Sequence, residues 1–404
     1  MVHRIRFPGA RHELAGALHR PAGRPVGWAL FAHCFTCGKD LHAARRIAEE
    51  LAAQGFGVLR FDFTGLGASG GDFADVTLSS DVDDVVAAAA WLTEHHGAPS
   101  LLVGHSLGGA AVLLATPRLD AVRAVATIGA PSDPEHLTHL IPDEAQVRAE
   151  GCVQVELAGR SFPITTAFLD DLTSHRLTDV VRELRRATLF LHSPQDNTVG
   201  VAHARALFQA ARHPRSFVSL DGADHLLSDP ADARYAGRLI ASWARRYVGV
   251  EEAAGPDHRD DVEARTLGTG FGTDVIIDGR HRLRADEPID VGGEDTGPSP
   301  YDLLSAALAS CTSMTLQMYA ARKKLDLEEA IVHVRHEKVH AADCEACETS
   351  TGKVDRFQRS IELRGNLTPD VRARMLQIAD RCPVHRTLHS EVSVVTTSLE
   401  PSAD

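Results

Sequence analysis

The sequence contains no long hydrophobic run. The longest apolar stretch, Val85–Leu92, is far too short to cross a lipid bilayer. The first residues, Met1–Phe7, lack the apolar segment of a secretory signal. An excess of basic residues is also absent, since the formal net charge is −13, whereas a protein that binds nucleic acid needs a basic face. We therefore expect a cytoplasmic protein that binds neither membranes nor nucleic acids.

Cysteine is scarce, with seven residues among 404. The count is odd, and the residues do not form the dense framework that holds small secreted domains together. In a reducing compartment such cysteines are usually buried thiols, metal ligands or catalytic groups. Structural disulfides are therefore not expected.

What the sequence does contain is two regions with different patterns of predicted secondary structure. Residues 1–249 alternate strands and helices, which predicts an α/β fold, a doubly wound and mostly parallel sheet covered on both faces. Residues 131–186 interrupt this alternation with a possible hairpin and helical segments. We expect these residues to form a short cap over an active site.

The second region follows a polar stretch, residues 250–262, which predicts a linker. Residues 263–404 group strands around two helices, the longer of them over Pro300–Lys324. The last predicted strand is Val392–Leu399. This grouping favours an α+β domain.

A Gly-x-Ser-x-Gly pentapeptide occupies residues 104–108, between a predicted strand and a helix that begins at Leu107. This strand–turn–helix context is the one that the motif requires. The glycines permit a tight turn that lifts Ser106 Oγ out of the sheet edge. The helix N-terminus offers the Leu107 N–H to a developing oxyanion. The alternative interpretation is a glycine-lined turn with an idle serine.

A candidate base and two candidate acids follow Ser106 in the chain. Asp196 lies on the loop after one predicted strand, and His225 lies on the loop after the next. These are suitable places for the acid and the general base of a triad. Asp133 is the alternative acid, whereas Asp224 is expected to order the loop that carries the histidine.

The chain order Ser106, Asp196, His225 resembles that of the α/β-hydrolase family, and the resemblance covers residues 1 to about 249. It implies acyl transfer: the serine attacks an ester, thioester or amide carbonyl, an acyl-enzyme forms, and water hydrolyses it. Because the cap is short, we expect a small to medium substrate.

Two further loops carry the same resemblance. Residues 33–36, His-Cys-Phe-Thr, resemble the oxyanion loop of the family, with Cys34 at the place of the usual glycine. This implies that the backbone N–H of Phe35 is the second oxyanion donor beside that of Leu107. Residues 62–69 also resemble a loop common in these enzymes, for which a structural role is expected.

Two cysteines in the second region lie at notable positions. Cys311 is in the middle of the long predicted helix, among small and apolar residues, where it is either a core residue or a thiol with chemistry. Cys382 precedes Pro383 and is expected to be the N-cap of a new helix. A helix N-terminus stabilises a thiolate, although a helix-breaking Cys-Pro without chemistry is the alternative.

Together these segments resemble the OsmC/Ohr family of thiol peroxidases over residues 263–404. The resemblance implies that Cys311 attacks an organic hydroperoxide and becomes a sulfenic acid, which Cys382 then converts into a disulfide. It also implies a dithiol reductant, which restores the two thiols, and an intertwined homodimer with sites at the subunit interface.

The chain departs from that family at the start of the central helix. Many members carry a catalytic glutamate there, where this chain has Tyr301 followed by Asp302. Asp302 is a candidate acid partner of the thiol site, but its place three residues after Ser299 also suits a helix-capping residue. Arg284 is the candidate partner arginine.

A cysteine-containing insertion is a second departure. His336 and His340 would face the same side of a strand, and with Cys344 and Cys347 they make a Cys₂His₂ zinc site conceivable. The alternative is an exposed loop with inert or auxiliary thiols. We favour the loop and expect no metal and no cofactor.

The sequence therefore predicts a serine esterase fused to a cysteine-based hydroperoxide reductase. Its substrates would be small-molecule esters and organic hydroperoxides. The alternative is an esterase whose OsmC-like domain serves mainly as a dimerisation module without peroxidase activity.

Overall fold

The chain folds into two compact units. The computed structural model describes residues 2–21, 25–35, 38–141, 144–157, 160–248, 262–266, 270–279, 281–341 and 351–398. Contacts assign residues 1–269 and 273–283 to one unit, which we call the N-terminal unit, and residues 270–272 and 284–404 to the other, the C-terminal unit.

The N-terminal unit is built on strands that follow one another in chain order as β1 (Val2–Pro8), β2 (Glu13–His19), β3 (Gly27–Ala32), β4 (Phe56–Phe61), β5 (Pro99–His105), β6 (Ala124–Ile128), β7 (Cys152–Leu157), β8 (Arg160–Thr165), β9 (Ala187–His192) and β10 (Arg215–Ser219). All of them except β7 and β8 form one eight-stranded sheet, in the order β1-β2-β4-β3-β5-β6-β9-β10.

Most of this sheet is parallel. Strand β2 pairs antiparallel with β1 and with β4, and all other neighbouring strands are parallel. Strands β4, β6 and β9 are buried at every position, as expected for parallel strands that are covered on both faces. The predicted mostly parallel sheet is confirmed.

Helices cover both faces of the sheet. In chain order they are α1 (His42–Ala53), α2 (Leu78–His95), α3 (Leu107–Ala115), α4 (Glu144–Glu150), α5 (Thr166–Ser174), α6 (Leu177–Glu183), α7 (Ala202–Ala210) and α8 (Pro230–Ala244). Successive strand residues point to opposite faces. Phe31 therefore packs in the core that holds α1 and α8, whereas its neighbour Leu30 packs in the core that holds α2 and α3.

The predicted cap region contains the hairpin expected from its sequence. Strands β7 and β8 pair antiparallel, with Val153 opposite Ile164. Helices α4 and α5 flank the hairpin. Phe162 of β8 and Phe168 of α5 are buried in the same core as α2 and α3, so the cap is packed onto the body of the N-terminal unit.

In the N-terminal unit, the burial of one ionisable side chain lowers the stability of the folded state. Asp81, near the start of α2, is only 5% exposed. Burial raises the pKa of its carboxyl well above the usual 3.8, and the negative charges of Asp84 and Asp171 raise it further. Because the unfolded chain ionises at the lower pKa, the stability of the folded state falls as pH rises from that value towards the raised one.

We therefore expect Asp81→Asn to stabilise the N-terminal unit at neutral pH. We expect this gain at neutral pH, where burial opposes the ionised carboxyl, and we expect it to vanish in mild acid, where the carboxyl is protonated. Urea unfolding followed by tryptophan fluorescence measures it, because Trp28, Trp91 and Trp243 all lie in this unit. The half-exposed Asp83 of the same helix gives the control variant Asp83→Asn, and a less stable Asp81→Asn protein would contradict the assignment.

A small sheet follows, at the start of the predicted second domain. It consists of β11 (Val262–Thr266), β12 (Thr273–Ile277) and β13 (His281–Ala285), with β11 and β12 antiparallel. By their contacts β11 and β12 belong to the N-terminal unit, and β13 extends into the residues of the C-terminal unit. The domain boundary at residue 263 stays a prediction, and most of the predicted linker lies outside the described residues.

The C-terminal unit has α+β structure. Its elements are α9 (Pro300–Lys323), β14 (Leu327–His340), β15 (Lys353–Gly365), α10 (Pro369–Ala379) and α11 (Pro383–Leu388). Strands β14 and β15 form an antiparallel pair, and Leu316, Met375 and Ile378 lie in the core between α9 and α10. The two predicted helices are confirmed. The predicted strand over Val392–Leu399 is wrong, because its described residues form neither helix nor strand.

Candidate active site

Ser106 lies in the sharp turn between β5 and α3. Its backbone has φ 55° and ψ −124°, a left-handed conformation that costs energy for a residue with a side chain. The turn requires glycine on both sides. A Cβ on Gly104 would collide with the Gly108 carbonyl, and one on Gly108 would collide with the carbonyls of Ala32 and His33. The predicted strand–turn–helix context is confirmed.

The structure brings His225 and Asp196 to this serine. Nε2 of His225 lies 3.0 Å from Ser106 Oγ, and Nδ1 lies 2.7 Å from Asp196 Oδ2. With the proton on Nδ1, the imidazole donates to the carboxylate and accepts the serine proton at Nε2. In this arrangement a serine hydroxyl has an imidazole beside it that can accept its proton, which is what a serine nucleophile with a general base requires.

Asp196 is held in its ionised form. Burial by itself would raise the pKa of the carboxyl, but the hydrogen bonds from His225 and from the backbone N–H groups of Val199 and Thr198 outweigh it and lower the pKa below 3.8. The two backbone donors reach Oδ1 at 2.8 and 2.9 Å. Oδ2 therefore remains available to the histidine.

The alternative acid does not reach the histidine. Oδ1 of Asp133 instead accepts the Glu135 N–H at 3.1 Å and caps a short 3₁₀ helix. Asp224 accepts the Ser228 N–H at 2.9 Å, which agrees with its expected role in ordering the loop.

Two buried histidines that sequence reasoning did not single out support the site. Nε2 of His105 lies 2.7 Å from the backbone carbonyl of His225, and burial together with the nearby His225 lowers the pKa of His105 to about 4. His192 holds the Val199 carbonyl at 2.7 Å. Both residues lie at strand ends beside the triad candidates, and this position was the only signal in the sequence.

The predicted oxyanion loop follows β3. His33 is buried and spans the loop, with Nδ1 2.7 Å from the Cys34 carbonyl and Nε2 accepting the Phe63 N–H at 3.3 Å. Leu107 is the first residue of α3, directly after Ser106. The assignment of the Phe35 and Leu107 N–H groups as oxyanion donors stays a prediction.

Cys34 corrects one expectation. It is disulfide-bonded, whereas the composition argued against structural disulfides. Its partner is not among the described residues. Scarce cysteines in a reducing compartment argue against a framework of disulfides that holds a whole fold together. They do not exclude one disulfide at a single loop.

The loop over residues 62–69 is tied by a buried carboxylate to Lys39, which follows the predicted oxyanion loop in the chain. Asp62 accepts the backbone N–H of Lys39 at 2.6 Å, the Lys39 ammonium at 2.9 Å and the Ala68 N–H at 2.9 Å. A side chain on Gly67, where φ is +56°, would collide with this carboxylate. The contacts agree with the structural role expected for the loop.

In the C-terminal unit, Cys382 is fully buried and is the N-cap of α11, as predicted. Its Sγ accepts the His385 N–H at 3.3 Å and lies 3.5 Å from Thr312 Oγ1. Cys311 precedes Thr312 on α9 and is partly exposed. Both cysteines are free thiols, carried by adjoining segments of the same unit.

The predicted partners of the thiols are engaged elsewhere. Asp302 forms a capping box with Ser299 at the start of α9, and Arg284 hydrogen-bonds Thr296 at 3.0 Å. Near Cys382 lies Arg359 of β15, whose Nη1 donates to Thr312 Oγ1 at 3.0 Å. Sequence reasoning missed it because a strand arginine has no local pattern that points to a distant helix.

Two of the four predicted zinc ligands, His336 and His340, lie on β14. Cys344 and Cys347 lie outside the described residues. His336 stacks on Tyr301 with ring centroids 4.1 Å apart and contacts Asp355 at 2.8 Å, and His340 lies four residues further along β14. Within the described ranges, no group of three or more histidine, cysteine or acidic side chains is arranged to hold a metal ion.

Comparison with known proteins identifies both parts of the chain. A family model described as OsmC-like protein matches residues 293–397, and one described as serine aminopeptidase, S33, matches residues 37–163. The esterase domain of a Rhodothermus marinus protein is 48% identical, with a TM-score of 0.53, over 62% of this chain and 100% of that domain. The chain belongs to the α/β-hydrolase family. Its C-terminal part is OsmC-like, so the protein is a fusion of the two.

Other solved structures share the hydrolase fold alone. Est1E from Butyrivibrio proteoclasticus, solved with ferulic acid bound, is 19% identical with a TM-score of 0.53, over 60% of this chain and 99% of that chain. Alpha/beta hydrolase domain-containing protein 10 from mouse is 21% identical with a TM-score of 0.51, over 61% and 99%. No curated protein matches the chain. None of the hydrolase's described helices is both long and apolar enough for a membrane span.

Proposed function

We propose that the hydrolase unit is a serine carboxylesterase with Ser106, His225 and Asp196 as its catalytic triad. The observation that carries this proposal is the continuous chain of contacts from Asp196 Oδ2 through the imidazole to Ser106 Oγ, at 2.7 and 3.0 Å. The esterase domain at 48% identity supports ester hydrolysis rather than another use of the fold.

The geometry suits acyl transfer in two steps, acylation of the serine and hydrolysis of the acyl-enzyme. Ser106 Oγ attacks the ester carbonyl while its proton passes to His225 Nε2, and the imidazolium then protonates the departing alcohol. Water attacks the acyl-enzyme in the same way and releases the acid. Asp196 stays ionised and balances the imidazolium. The N–H groups of Phe35 and Leu107 are the proposed donors to the oxyanion.

The proposed substrates are small to medium esters with an apolar acyl group. Aromatic side chains lie next to the oxyanion loop: the ring of Phe35 stacks on Phe168 of the cap at 4.8 Å and contacts Phe73 at 5.3 Å. These contacts hold the cap against the predicted oxyanion loop. The proposed acyl chain is small to medium because the cap is short.

For the OsmC-like part we propose a cysteine-based hydroperoxide reductase. A Cys311 thiolate attacks the O–O bond of an organic hydroperoxide, which yields a sulfenic acid on Cys311 and releases the alcohol. Cys382 then attacks this sulfur, water leaves, and a disulfide forms. A dithiol reduces the disulfide and is itself oxidised. Two free thiols on adjoining segments support the proposal. Esters that carry a hydroperoxide would connect the two activities.

A second candidate role for this part is dimerisation without peroxidase activity. The observation that favours it is a set of exposed apolar side chains. Monomeric proteins rarely expose large apolar patches to solvent. The side chains are Met314 and Met318 of α9 and, in the segment after α11, Val392, Val394 and Val395. In either role we propose that the protein is a homodimer through its OsmC-like part.

One panel on the full-length protein tests these proposals. We expect hydrolysis of p-nitrophenyl esters to fall from butyrate to dodecanoate, and cumene hydroperoxide to be reduced with dithiothreitol as the dithiol. Cys311→Ser should abolish only the peroxide turnover, because the serine site does not use the thiol. A preference for dodecanoate would contradict the short acyl site. A stable dimer in ultracentrifugation without peroxide turnover would favour the dimerisation role.

A further inference from the structure

The OsmC-like part buries a polar cluster around the sulfur of Cys382. Cys382 and Thr312 are both fully buried. The thiol lies 3.5 Å from Thr312 Oγ1, and the backbone N–H of His385, in the first turn of α11, donates to Sγ at 3.3 Å. The Thr312 hydroxyl already donates its proton to the Leu308 carbonyl at 2.8 Å. It therefore needs no hydrogen bond to the sulfur in this state.

Arg359 brings a positive charge to this cluster. Its guanidinium donates to Thr312 Oγ1 at 3.0 Å and to the Ala379 carbonyl at 3.1 Å, and it pairs with Asp380 at 2.6 Å. Only 11% of its side chain is exposed. The charge also reaches α11: after burial, Arg359 is the main cause that lowers the pKa of His385.

The hydrogen-bonding groups around Cys382 Sγ are suited to the thiolate form of this cysteine. A thiolate only accepts hydrogen bonds, so Thr312 must then turn its proton from the Leu308 carbonyl to Sγ. The hydrogen bond that Arg359 donates polarises the hydroxyl and makes it a better donor. In this state Cys382 has two donors, Thr312 Oγ1–H and His385 N–H, with a cation behind the first of them.

We infer that Arg359, acting through Thr312, is a positioning residue that prepares Cys382 to attack the sulfenic acid on Cys311. The inference rests on the proposed hydroperoxide reduction. In the step it serves, the Cys382 thiolate forms the S–S bond, the S–OH bond of Cys311 breaks, and the leaving hydroxide takes a proton to become water. The pair has then lost two electrons to the hydroperoxide, which was reduced to an alcohol.

Rapid mixing of the reduced full-length protein with cumene hydroperoxide separates the two steps. Dimedone trapping and peptide mass spectrometry report the sulfenic acid on Cys311, and the same peptides report the disulfide. We expect Arg359→Met and Thr312→Val to form the sulfenic acid at the wild-type rate but the disulfide at least about tenfold more slowly, which corresponds to about 1.4 kcal/mol. Trapped sulfenic acid should therefore accumulate.

Two further variants exclude a general effect on folding. Arg359→Lys keeps the charge and should restore part of the rate of disulfide formation. Arg364→Met removes an exposed arginine of the same strand, which pairs with the exposed Glu329 and Glu362, and should behave as wild type. Disulfide formation at the wild-type rate in both Arg359→Met and Thr312→Val would overturn the inference, and Thr312→Val keeps the test valid if Arg359→Met is unfolded.

Failure of the proposed function gives a different result. In that case the wild-type protein forms no sulfenic acid on Cys311. The inference is then tested by the rate at which 4,4′-dithiodipyridine modifies Cys382 in a Cys311→Ser background, followed on the Cys382 peptide. A slower reaction in Thr312→Val and Arg359→Met than in Arg364→Met would support the role of the cluster, and an equal or faster reaction would overturn it.

Discussion

Ser106→Ala is expected to lower kcat for p-nitrophenyl acetate by about a millionfold, the loss measured when serine nucleophiles are removed from hydrolases of this mechanism. The substitution removes the atom that bonds to the acyl carbon and leaves His225 and Asp196 in place. Burst kinetics provide a second measurement. The wild-type protein should release nitrophenol in a burst as the acyl-enzyme accumulates, and the variant should show none.

A matched serine supplies the control for this experiment. Ser228 lies on the loop that carries His225, and its backbone N–H bonds Asp224, so Ser228→Ala removes a hydroxyl without touching the nucleophile. We expect the activity of this variant to stay close to that of wild type. Substantial hydrolysis by Ser106→Ala, with unchanged folding, would show that another group attacks the ester.

Asp196→Asn is expected to lower kcat by about ten-thousandfold. An asparagine in this place presents either an N–H group or an uncharged carbonyl oxygen to His225 Nδ1. The imidazole is then held in the wrong tautomer or loses the negative charge that stabilises the imidazolium. The effect should be large because Asp196 is buried and ionised and bonds the imidazole at 2.7 Å.

Asp133→Asn is the informative comparison, since the sequence offered both residues as the triad acid. Asp133 caps a 3₁₀ helix, and its replacement by another good capping residue should leave kcat nearly unchanged. If the two variants lost activity in the reverse order, the acid would have been assigned incorrectly. Steady-state kinetics on both proteins, with the same ester, decide the matter.

The sequence already contained the local features of this protein. The nucleophile turn, the hairpin of the cap and the N-cap at Cys382 depend on residues close together in the chain, where glycine spacing, alternation and helix-capping preferences act directly. The structure confirms each of them. The segment Val392–Leu399 is rich in β-branched residues, which also favour a strand. Its described residues pair with no strand, and a strand forms only where a neighbour supplies hydrogen bonds to its backbone.

Choices among distant residues were made by the tertiary structure alone. Asp196 and Asp133 follow neighbouring strands with similar local sequence, and only the packing of β6 and β9 decides which carboxylate meets His225. Arg359 reaches Thr312 across 47 positions of the chain. Such pairings depend on which chain segments pack together, and no short-range pattern records them. The sequence by itself thus determined the chemistry that each segment can offer, and the fold decided which of these groups act together.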